Sequence, residues 1–397
     1  MNTISIFIHC FPPAKGGLEY LVSQVKEILD KDYTVHIITG NGSTLDSYKT
    51  FKDFLNTIPE DKKNNIHRLK LDFPKQRLFN KLFSKIILKW GFFSPFYFGP
   101  ILKYPPHILK IIKESDLIIG TGMPTFMFYR SFLFAKKYNK KLILIPAYHN
   151  VPYYNNCLFF QQTLNYASKI LYLTPLEKKH LTQNYKIDFH KLIQTTFCPY
   201  TIEQIKAQQK KLPNIISQKI NRIKNKQINI GFVGQITPRK NLVIFKYYLD
   251  KYLSYWQNRG YQLKIHLSGA KTNSSPQIEQ LFREYIRNKI VLINYNFMDL
   301  DKEYSKFDIF INPSIEESLG IVNFEAIFHG LFIIVHSQSP FSDFLPKQSL
   351  SNTLTLHILI KKLLLQSEYT KITKKQYKTL DHFNYNNFVK NLKNTLL

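Results

Sequence analysis

One strand, loop, helix and strand unit near the C-terminal end restricts the fold of this chain more than any other feature. Its two apolar runs, residues 307–311 and 332–335, have the length and composition of buried strands. Between them, residues 321–329 have helical spacing and are followed by Gly330, a typical residue at a helix end. The loop before this helix therefore lies at the carboxyl end of a strand. In open α/β sheets, that edge is where phosphorylated ligands bind.

The same alternation of strand-like and helix-like segments repeats along most of the chain and predicts parallel sheets covered by helices. At 397 residues, the chain is too long for one ordinary core and suits two domains of nearly equal size. Residues 201–227 are polar and lysine-rich, with helical spacing that breaks at Pro213, and we interpret them as the connection between the domains. The other predicted strands are residues 3–9, 33–39, 67–71, 117–120, 142–146, 170–173, 193–197, 228–233, 263–268 and 290–294.

The net charge of +28 predicts a polyanionic neighbour. Residues 73–113 contain eight basic residues and no acidic residue, with aromatic and aliphatic residues between the basic ones. Such a segment favours contact with an anionic membrane surface. Two alternatives stay open: a solvated helix with a buried face, and a platform for single-stranded nucleic acid. Nucleic acid is the less favoured partner, because no recognisable nucleic-acid-binding module accompanies the segment.

Cysteine usage and hydropathy predict the compartment. Cys10, Cys157 and Cys198 are scattered and odd in number, which suits a reducing environment and offers neither a disulfide framework nor metal-ligand spacing. The uncharged aromatic stretch around residues 90–102 contains two prolines and is too short to span a bilayer. The first residues lack the basic and apolar regions of a secretion signal. We expect a cytoplasmic protein.

The loop and helix between the two apolar runs 307–311 and 332–335 contain more acidic residues than a simple phosphate-binding loop would. Carboxylates on either side of the first residues of a helix can hold the hydroxyls of a sugar or ribose. The backbone N–H groups of Leu319, Gly320 and Ile321 can then face a diphosphate. An acidic helix start stabilised by the helix dipole would explain one glutamate, but not the set. The acids are Glu316, Glu317 and Glu325.

These residues give the pattern P-S-x-x-E-S-x-G-x(4)-E-A-x(3)-G, which runs from Pro313 to Gly330. The pattern resembles the donor-binding motif of glycosyltransferase family 4, retaining enzymes of the GT-B fold. The resemblance implies an α/β protein of two facing Rossmann-like domains with a central cleft. The implied domains are an acceptor-side domain at 1–205, a domain for the donor nucleotide-sugar at 206–380, and a helix at 381–397 that crosses back to the first domain.

Two features of the N-terminal half fit this resemblance. The pattern P-P-x-x-G-G-x-E, which contains Gly16 and Gly17, resembles the first loop of the same family, where it borders the donor diphosphate and the acceptor. A tight turn is the alternative reading of two adjacent glycines. His149 follows a predicted strand at its carboxyl end, near the place where the family keeps a histidine that hydrogen-bonds the donor sugar. A structural loop histidine is the alternative.

The loop after the predicted strand 228–233 resembles the family's G-R-x(4)-K motif. Lys240 stands at the position of the lysine that holds the donor diphosphate, with a basic helix start on the surface as the alternative. Gln235 replaces the arginine of the motif, which removes one charge-assisted bond to phosphate, and Arg239 is the candidate substitute. Residues 294–297 are expected near the nucleotide base.

The resemblance implies a metal-independent, retaining hexosyltransferase. It would move a sugar from a nucleotide-diphosphate sugar, its co-substrate, to a saccharide or lipid-linked saccharide in cell-surface polysaccharide synthesis, without a cofactor. Lys240 would neutralise the leaving diphosphate, Glu317 would orient the donor sugar, His149 would contact that sugar, and Glu325 would hold the ribose. Two alternatives stay open: a degenerate binding or scaffold partner, suggested by Gln235, and a basic nucleic-acid-binding protein.

Overall fold

The computed structural model describes residues 2–14, 16–42, 58–59, 61–72, 101–149, 155–295, 299–345, 349–350 and 352–396. Residues 73–100 of the segment predicted to contact a membrane, and residues 296–297 of the segment predicted to lie near the base, are outside the described residues. The chain divides into two compact units, Met1–Thr195 with Asn391–Leu397, and Thr196–Lys390. The division falls at 195/196, whereas the sequence placed it at 205/206.

The N-terminal unit is built on parallel strands in the order β3-β2-β1-β4-β5-β6-β7. Its strands are β1 (Thr3–Phe7), β2 (Thr34–Gly40), β3 (Ile66–Leu69), β4 (Leu117–Thr121), β5 (Lys141–Ile145), β6 (Lys169–Tyr172) and β7 (Leu192–Gln194). Its helices are α1 (Gly17–Leu29), α2 (Pro106–Glu114), α3 (Phe126–Lys137), α4 (Leu158–Tyr166) and α5 (Pro175–Asn184), with 3-10 turns at Lys62–Asn64 and Phe189–Lys191.

The C-terminal unit repeats this architecture with parallel strands in the order β10-β9-β8-β11-β12-β13. Its strands are β8 (Gln227–Val233), β9 (Gln262–Ser268), β10 (Val291–Asn294), β11 (Ile309–Asn312), β12 (Phe332–His336) and β13 (Ser349–Leu350). Its helices are α6 (Ile202–Lys224), α7 (Val243–Gln257), α8 (Ser275–Leu281), α9 (Arg283–Arg287), α10 (Leu300–Ser305), α11 (Ile321–Phe328), α12 (Thr353–Leu363), α13 (Gln366–Tyr377), α14 (Thr379–His382) and α15 (Tyr385–Leu396), with 3-10 turns at Pro238–Lys240 and Pro340–Phe344. The last residues of α15, from Asn391, group with the N-terminal unit.

Strands β4, β11 and β12 are mainly apolar, with a polar residue only at their carboxyl ends, because helices lie on the faces of a parallel sheet. Every residue of β4, β11 and β12 is buried. These strands therefore read as continuous hydrophobic runs rather than as alternating ones, which is why the sequence locates them well.

Helix α6 corrects one prediction, because the helical spacing of residues 201–227 does not break at Pro213. Pro213 lies inside a 23-residue helix. The helix starts at a capping box in which Thr201 and Gln204 bind each other's backbone N–H groups. Its buried side chains lie on both sides of the proline, so packing outweighs the hydrogen bond that proline cannot donate.

Strand order reverses at the same place in both units. In the N-terminal unit, β1 lies between β2 and β4, and in the C-terminal unit, β8 lies between β9 and β11. At such a switch point, the loops at the carboxyl ends of the two central strands diverge to opposite faces and leave a crevice, where α/β proteins bind ligands. Among the described helices, none combines the length and the apolar composition that a membrane-spanning helix requires.

Candidate active site

Lys240 and Glu317 form an ion pair at the switch point of the C-terminal unit. Lys240 follows β8, Glu317 follows β11, and these strands are paired neighbours. Both side chains are largely buried, with exposed fractions of 11% and 13%. The two predicted catalytic residues of this unit, 77 positions apart in sequence, are thus in direct contact.

The loop after β8 is fixed by backbone contacts with the loop after β9. The N–H of Gly234 donates to the carbonyl of Ser268 at 2.9 Å. A Cβ on Gly269 would lie 1.6 Å from the carbonyl oxygen of Gly234, so only glycine permits this approach. The 3-10 turn that carries Lys240 ends at Asn241, which has a left-handed φ of 54°. The side-chain amide of Asn241 donates to the carbonyl of Pro313 at 3.1 Å and ties this loop to the loop after β11.

The loop after β11 is organised by two buried asparagines. Asn312 accepts a hydrogen bond from the N–H of Ser314 at 3.2 Å and donates to Asn323 at 3.3 Å. Gly320, the residue before α11, has φ 76° and ψ 65°, a left-handed conformation that favours glycine. Leu319 is buried, whereas Gly320 and Ile321 are partly exposed at the start of the helix. The first N–H groups of a helix have no acceptor within it and carry partial positive charge.

Glu325 lies one turn further along α11 and has a different partner. The hydroxyl of Tyr304 donates to Glu325 Oε2 at 2.8 Å. Burial raises the pKa of the Glu325 carboxyl, although the bond from Tyr304 acts in the opposite direction. Glu325 therefore has a hydrogen-bond partner of its own, and its predicted contact with a ribose stays a prediction.

The other predicted residues of this loop differ in exposure. Gln235 is partly buried, directly after the glycine that follows β8. Arg239 is exposed on the 3-10 turn next to Lys240. Its place as the substitute for the missing arginine stays a prediction.

In the N-terminal unit, Gly16 and Gly17 lie at the switch-point end of β1. Gly16 is the N-cap of α1 and has an extended φ of −173°, which any residue can adopt. A Cβ at this position would lie 2.0 Å from Oε2 of Glu19, the end of a flexible side chain. The Glu19 carboxylate also lies 3.3 Å from Nε2 of His9. Possible metal-ligand atoms of His9, Glu19 and the buried Cys10 lie within 4.8 Å of one another.

His149 belongs to the N-terminal unit, four residues after the end of β5, and is partly buried. The residue before it, Tyr148, is 1% exposed. Its hydroxyl donates to Asn155 at 2.6 Å and accepts from Asn184 at 3.1 Å. The predicted contact of His149 with a donor sugar stays a prediction.

Sequence reasoning missed several residues that shape these loops. Asn241, Asn312, Asn323 and Tyr304 carry the hydrogen bonds described above, yet none stands at a specified position of the quoted motifs. One signal was present for Asn241, because asparagine is among the residues that tolerate a left-handed backbone at the end of a turn. Asn312 accepts from the N–H of Ser314, two residues on, which is a second local turn signal. The contacts Asn312–Asn323 and Tyr304–Glu325 join residues 11 and 21 positions apart, which spacing does not reveal.

Residues 227–350 match the family model described as glycosyl transferases group 1. A glycosyltransferase from Rickettsia africae ESF-5 is 18% identical, with a TM-score of 0.62 and coverage of 100% of this chain and 98% of that chain. Anabaena HepE in complex with UDP is 12% identical, with a TM-score of 0.67 and coverage of 100% and 99%. Sucrose-phosphate synthase from Thermosynechococcus elongatus is 14% identical, with a TM-score of 0.67 and coverage of 100% and 98%. Comparison with curated protein sequences finds no match.

The predicted resemblance to group 1 glycosyltransferases is confirmed over residues 227–350. The predicted fold class, an α/β protein with Rossmann-like domains of the GT-B type, is confirmed by structural similarity over the whole chain. Assignment to family 4 within that group stays a prediction.

Proposed function

We propose that this protein is a retaining glycosyltransferase that moves a hexose from a nucleotide-diphosphate sugar to a saccharide or lipid-linked saccharide. The observation that carries the proposal is the Lys240–Glu317 ion pair at the switch point of the segment that matches group 1 glycosyltransferases. A cation and a carboxylate held together there supply one group for a diphosphate and one for sugar hydroxyls.

The chemistry requires stabilisation of negative charge on the leaving group. During transfer, the bond between the anomeric carbon and the donor phosphate oxygen breaks, and a bond to the acceptor oxygen forms. The acceptor proton passes to the leaving phosphate. The Lys240 ammonium and the N–H groups at the start of α11 are suited to the charge that develops on the diphosphate. These groups need no divalent cation for that task, so we propose that turnover is independent of metal.

Buried polar atoms in the same two loops and in the first turn of α11 add support. Thr237 Oγ1, Ser314 Oγ and Asn323 Nδ2 are buried, and they have no hydrogen-bond partner among the described residues. Buried polar atoms are nearly always satisfied by protein, water or ligand. Loops with unused hydrogen-bonding capacity suit a polar ligand such as a nucleotide-sugar.

The net charge of the protein supports a proposal for its acceptor and its location. With a net charge of +28, the protein suits an anionic surface, and lipid-linked saccharides are presented at such a surface. We therefore propose cell-surface polysaccharide synthesis at the cytoplasmic face of the membrane.

The test is nucleotide release by purified protein with a panel of donors, preceded by a thermal-shift screen, because a ligand that binds only the folded form raises its melting temperature. UDP-sugars come first in the panel, since the Anabaena HepE structures contain UDP and UDP-glucose. Lys240→Met is expected to lower turnover by about 10²–10³-fold, the usual loss for one transition-state charge contact.

The control variant for Lys240→Met is Lys246→Met. It removes a lysine that pairs with Asp250 one helical turn away on α7. Its turnover should stay within about twofold of wild type, because surface ion pairs of this kind contribute little. Equal turnover for wild type and Lys240→Met would contradict the proposed role of the lysine.

A second candidate function is nucleotide-sugar binding without transfer. Gln235 at the motif's arginine position favours it, because an amide donates only neutral hydrogen bonds where a guanidinium donates charged, bidentate ones. Calorimetry that detects nucleotide binding, together with assays that detect no release from any donor, would favour this alternative. Turnover that increases in Gln235→Arg would favour the enzyme.

A further inference from the structure

The loop that carries His149 adopts a conformation that its own sequence disfavours. Ala147 has φ 46°, in the left-handed region where a residue with a Cβ is rarely found. Such a residue keeps this conformation only when its surroundings impose it. The contacts of the neighbouring residues identify what imposes it.

One buried carboxylate holds the backbone of this loop. Glu177 Oε1 accepts a hydrogen bond from the N–H of Tyr148 at 2.7 Å, and Glu177 Oε2 accepts one from the N–H of Leu173 at 2.6 Å. Glu177 is fully buried, and its own N–H donates to Oγ1 of Thr174, the N-cap of α5. A single side chain therefore links the loop after β5 to the end of the neighbouring strand β6.

Helix α5 holds Tyr148 at a second point. Asn184 lies seven residues after Glu177, two helical turns along, so the two side chains lie on the same face of the helix. Asn184 donates to the hydroxyl of Tyr148 at 3.1 Å, whereas Glu177 binds the backbone N–H of the same residue. One helix face thus fixes both the ring end and the main chain of Tyr148, directly before His149.

We propose that Glu177 is a positioning residue that fixes the backbone of residues 146–149 and so determines where the His149 imidazole is presented. The proposal deepens the proposed function and rests on it for the role of His149 in sugar transfer. Glu177 is too deeply buried to touch a ligand, so it acts through the loop rather than on the substrate.

The chemistry of the two oxygens explains why the residue is a glutamate. Both oxygens face backbone N–H donors, and only a carboxylate presents acceptors in both positions. Glutamine would place an NH₂ group against one of those donors. Aspartate is shorter by one methylene and could keep one of the two bonds. Burial raises the pKa of the Glu177 carboxyl to about 7, while the backbone hydrogen bonds oppose that shift.

The test compares Glu177→Gln with Thr174→Val. The second variant removes the cap that accepts the N–H of Glu177 but leaves both carboxylate bonds in place. The direct measurement is the long-range ¹H–¹⁵N spectrum of the histidine imidazoles, with the His149 signals assigned from their loss in His149→Gln. We expect Glu177→Gln to shift or broaden the His149 signals and Thr174→Val to leave them in place.

Kinetics supply the second measurement. Glu177→Gln is expected to lower kcat by about 10²-fold, because it misplaces the His149 imidazole. The KM for the donor should change much less, because the loss is in the transition state rather than in ground-state binding. Thr174→Val should keep kcat within about twofold of wild type if it leaves the loop in place.

The proposal is overturned if His149 signals are unmoved in a folded Glu177→Gln. If that variant does not fold, Glu177→Asp is measured in the same way. Failure of both to fold while Thr174→Val folds would make Glu177 a purely structural residue and would also overturn the proposal. If wild type transfers no sugar, the imidazole spectra still decide whether Glu177 positions His149, and only the proposed function fails.

Discussion

The switch points of the two units have the same topology and different chemistry. In the C-terminal unit, the loops after β8 and β11 bring together a lysine and a glutamate of opposite charge, Lys240 and Glu317. In the N-terminal unit, Glu19, in the first turn of α1, lies against His9 instead. Strand order therefore decides where a ligand site can form, whereas the loop residues decide what it can bind.

Glycines at the two switch points also serve different purposes. Gly320 is required by its backbone, with φ 76°. Gly16 has an extended backbone that any residue can adopt, and a Cβ there would meet only the end of the flexible Glu19 side chain. A glycine in a motif can therefore reflect either a backbone conformation or the space available for a Cβ, and the sequence does not show which. Substitutions at the two kinds of position should have different effects.

The largest expected difference between the units is catalytic. Glu317→Gln should lower kcat/KM by about 10²–10³-fold, because it removes the partner of Lys240 and the carboxylate proposed to hold the donor sugar. Glu19→Gln should lower it by about tenfold or less, since the proposed function assigns Glu19 no contact with the donor. Steady-state assays of both variants with one donor make the comparison.

The control for the Glu317 variant is Glu316→Gln. Glu316 is the exposed neighbour on the same loop, so this substitution changes the loop charge equally. Turnover close to wild type is expected. A fall in Glu316→Gln as large as that in Glu317→Gln would mean that loop charge, rather than the Lys240 pair, matters.

Two buried carboxylates, one in each unit, should give opposite pH dependence of stability. Burial raises the pKa of Glu177 from 4.5 to about 7. Glu303 is also buried, which acts to raise its pKa, but hydrogen bonds from Lys306, Ser268 and Asn294 lower it overall. The difference is that Glu303 has a cation beside it, at 2.6 Å.

The signs follow from proton binding. Between pH 4.5 and about 7, folded protein binds a proton at Glu177 that unfolded protein has released, so the free energy of unfolding falls as pH rises. The full change is about 3 kcal/mol. Glu303 contributes stability above its ordinary pKa of 4.5, and that contribution is lost as pH falls through the lowered value.

Urea denaturation of wild type, Glu177→Gln and Glu303→Gln across pH tests both signs. The stability of wild type relative to Glu177→Gln should decrease from pH 5 to pH 8. Relative to Glu303→Gln, it should decrease as the solution is acidified below 4.5. The same slope for both variants would show that the two carboxylates do not differ in environment.

Substituting Gly320 and Gly16 should change stability less than the titration of Glu177 does. Gly320→Ala should lower the free energy of unfolding by about 1–2 kcal/mol, the usual penalty for a Cβ in the left-handed region. A Cβ there would also lie 2.6 Å from the side-chain amide of Asn323. Gly16→Ala should cost less, about 0.5 kcal/mol, because its obstacle is the end of a flexible side chain in a normal backbone region. Denaturant midpoints measure both, and a larger loss in Gly16→Ala would reverse the interpretation.

The sequence predicts best the strands that are buried on both faces, such as β4, β11 and β12. The predicted run at 332–335 and the observed β12, Phe332–His336, differ by one residue. Strand β13, Ser349–Leu350, has only two residues and gives no apolar run to detect. The predicted break of helix α6 at Pro213 is wrong. Proline removes one hydrogen bond within the helix, but the packing that compensates for this loss involves residues elsewhere in the chain.

Site residues are predicted less completely than strands. The motif resemblance singles out Lys240 and Glu317, but their contact across 77 positions depends on the pairing of β8 with β11, which spacing alone does not give. Asn241 and Glu177 act through backbone groups of distant loops. A hydrogen bond to a backbone group leaves no sequence signal at the partner position, so residues that position a site are the hardest to find.

The smallest expected effect concerns metal ions, and it tests whether the N-terminal switch point adds chemistry of its own. If Lys240 and the N–H groups of α11 neutralise the diphosphate, dialysis against EDTA should change turnover by less than about twofold. His9, Cys10 and Glu19 are nevertheless ligand types that suit zinc or another transition metal. A loss of turnover that added metal restores would contradict metal independence. The variant His9→Ala would then decide whether that cluster is the cause, because its turnover would be low before EDTA treatment and added metal would not restore it.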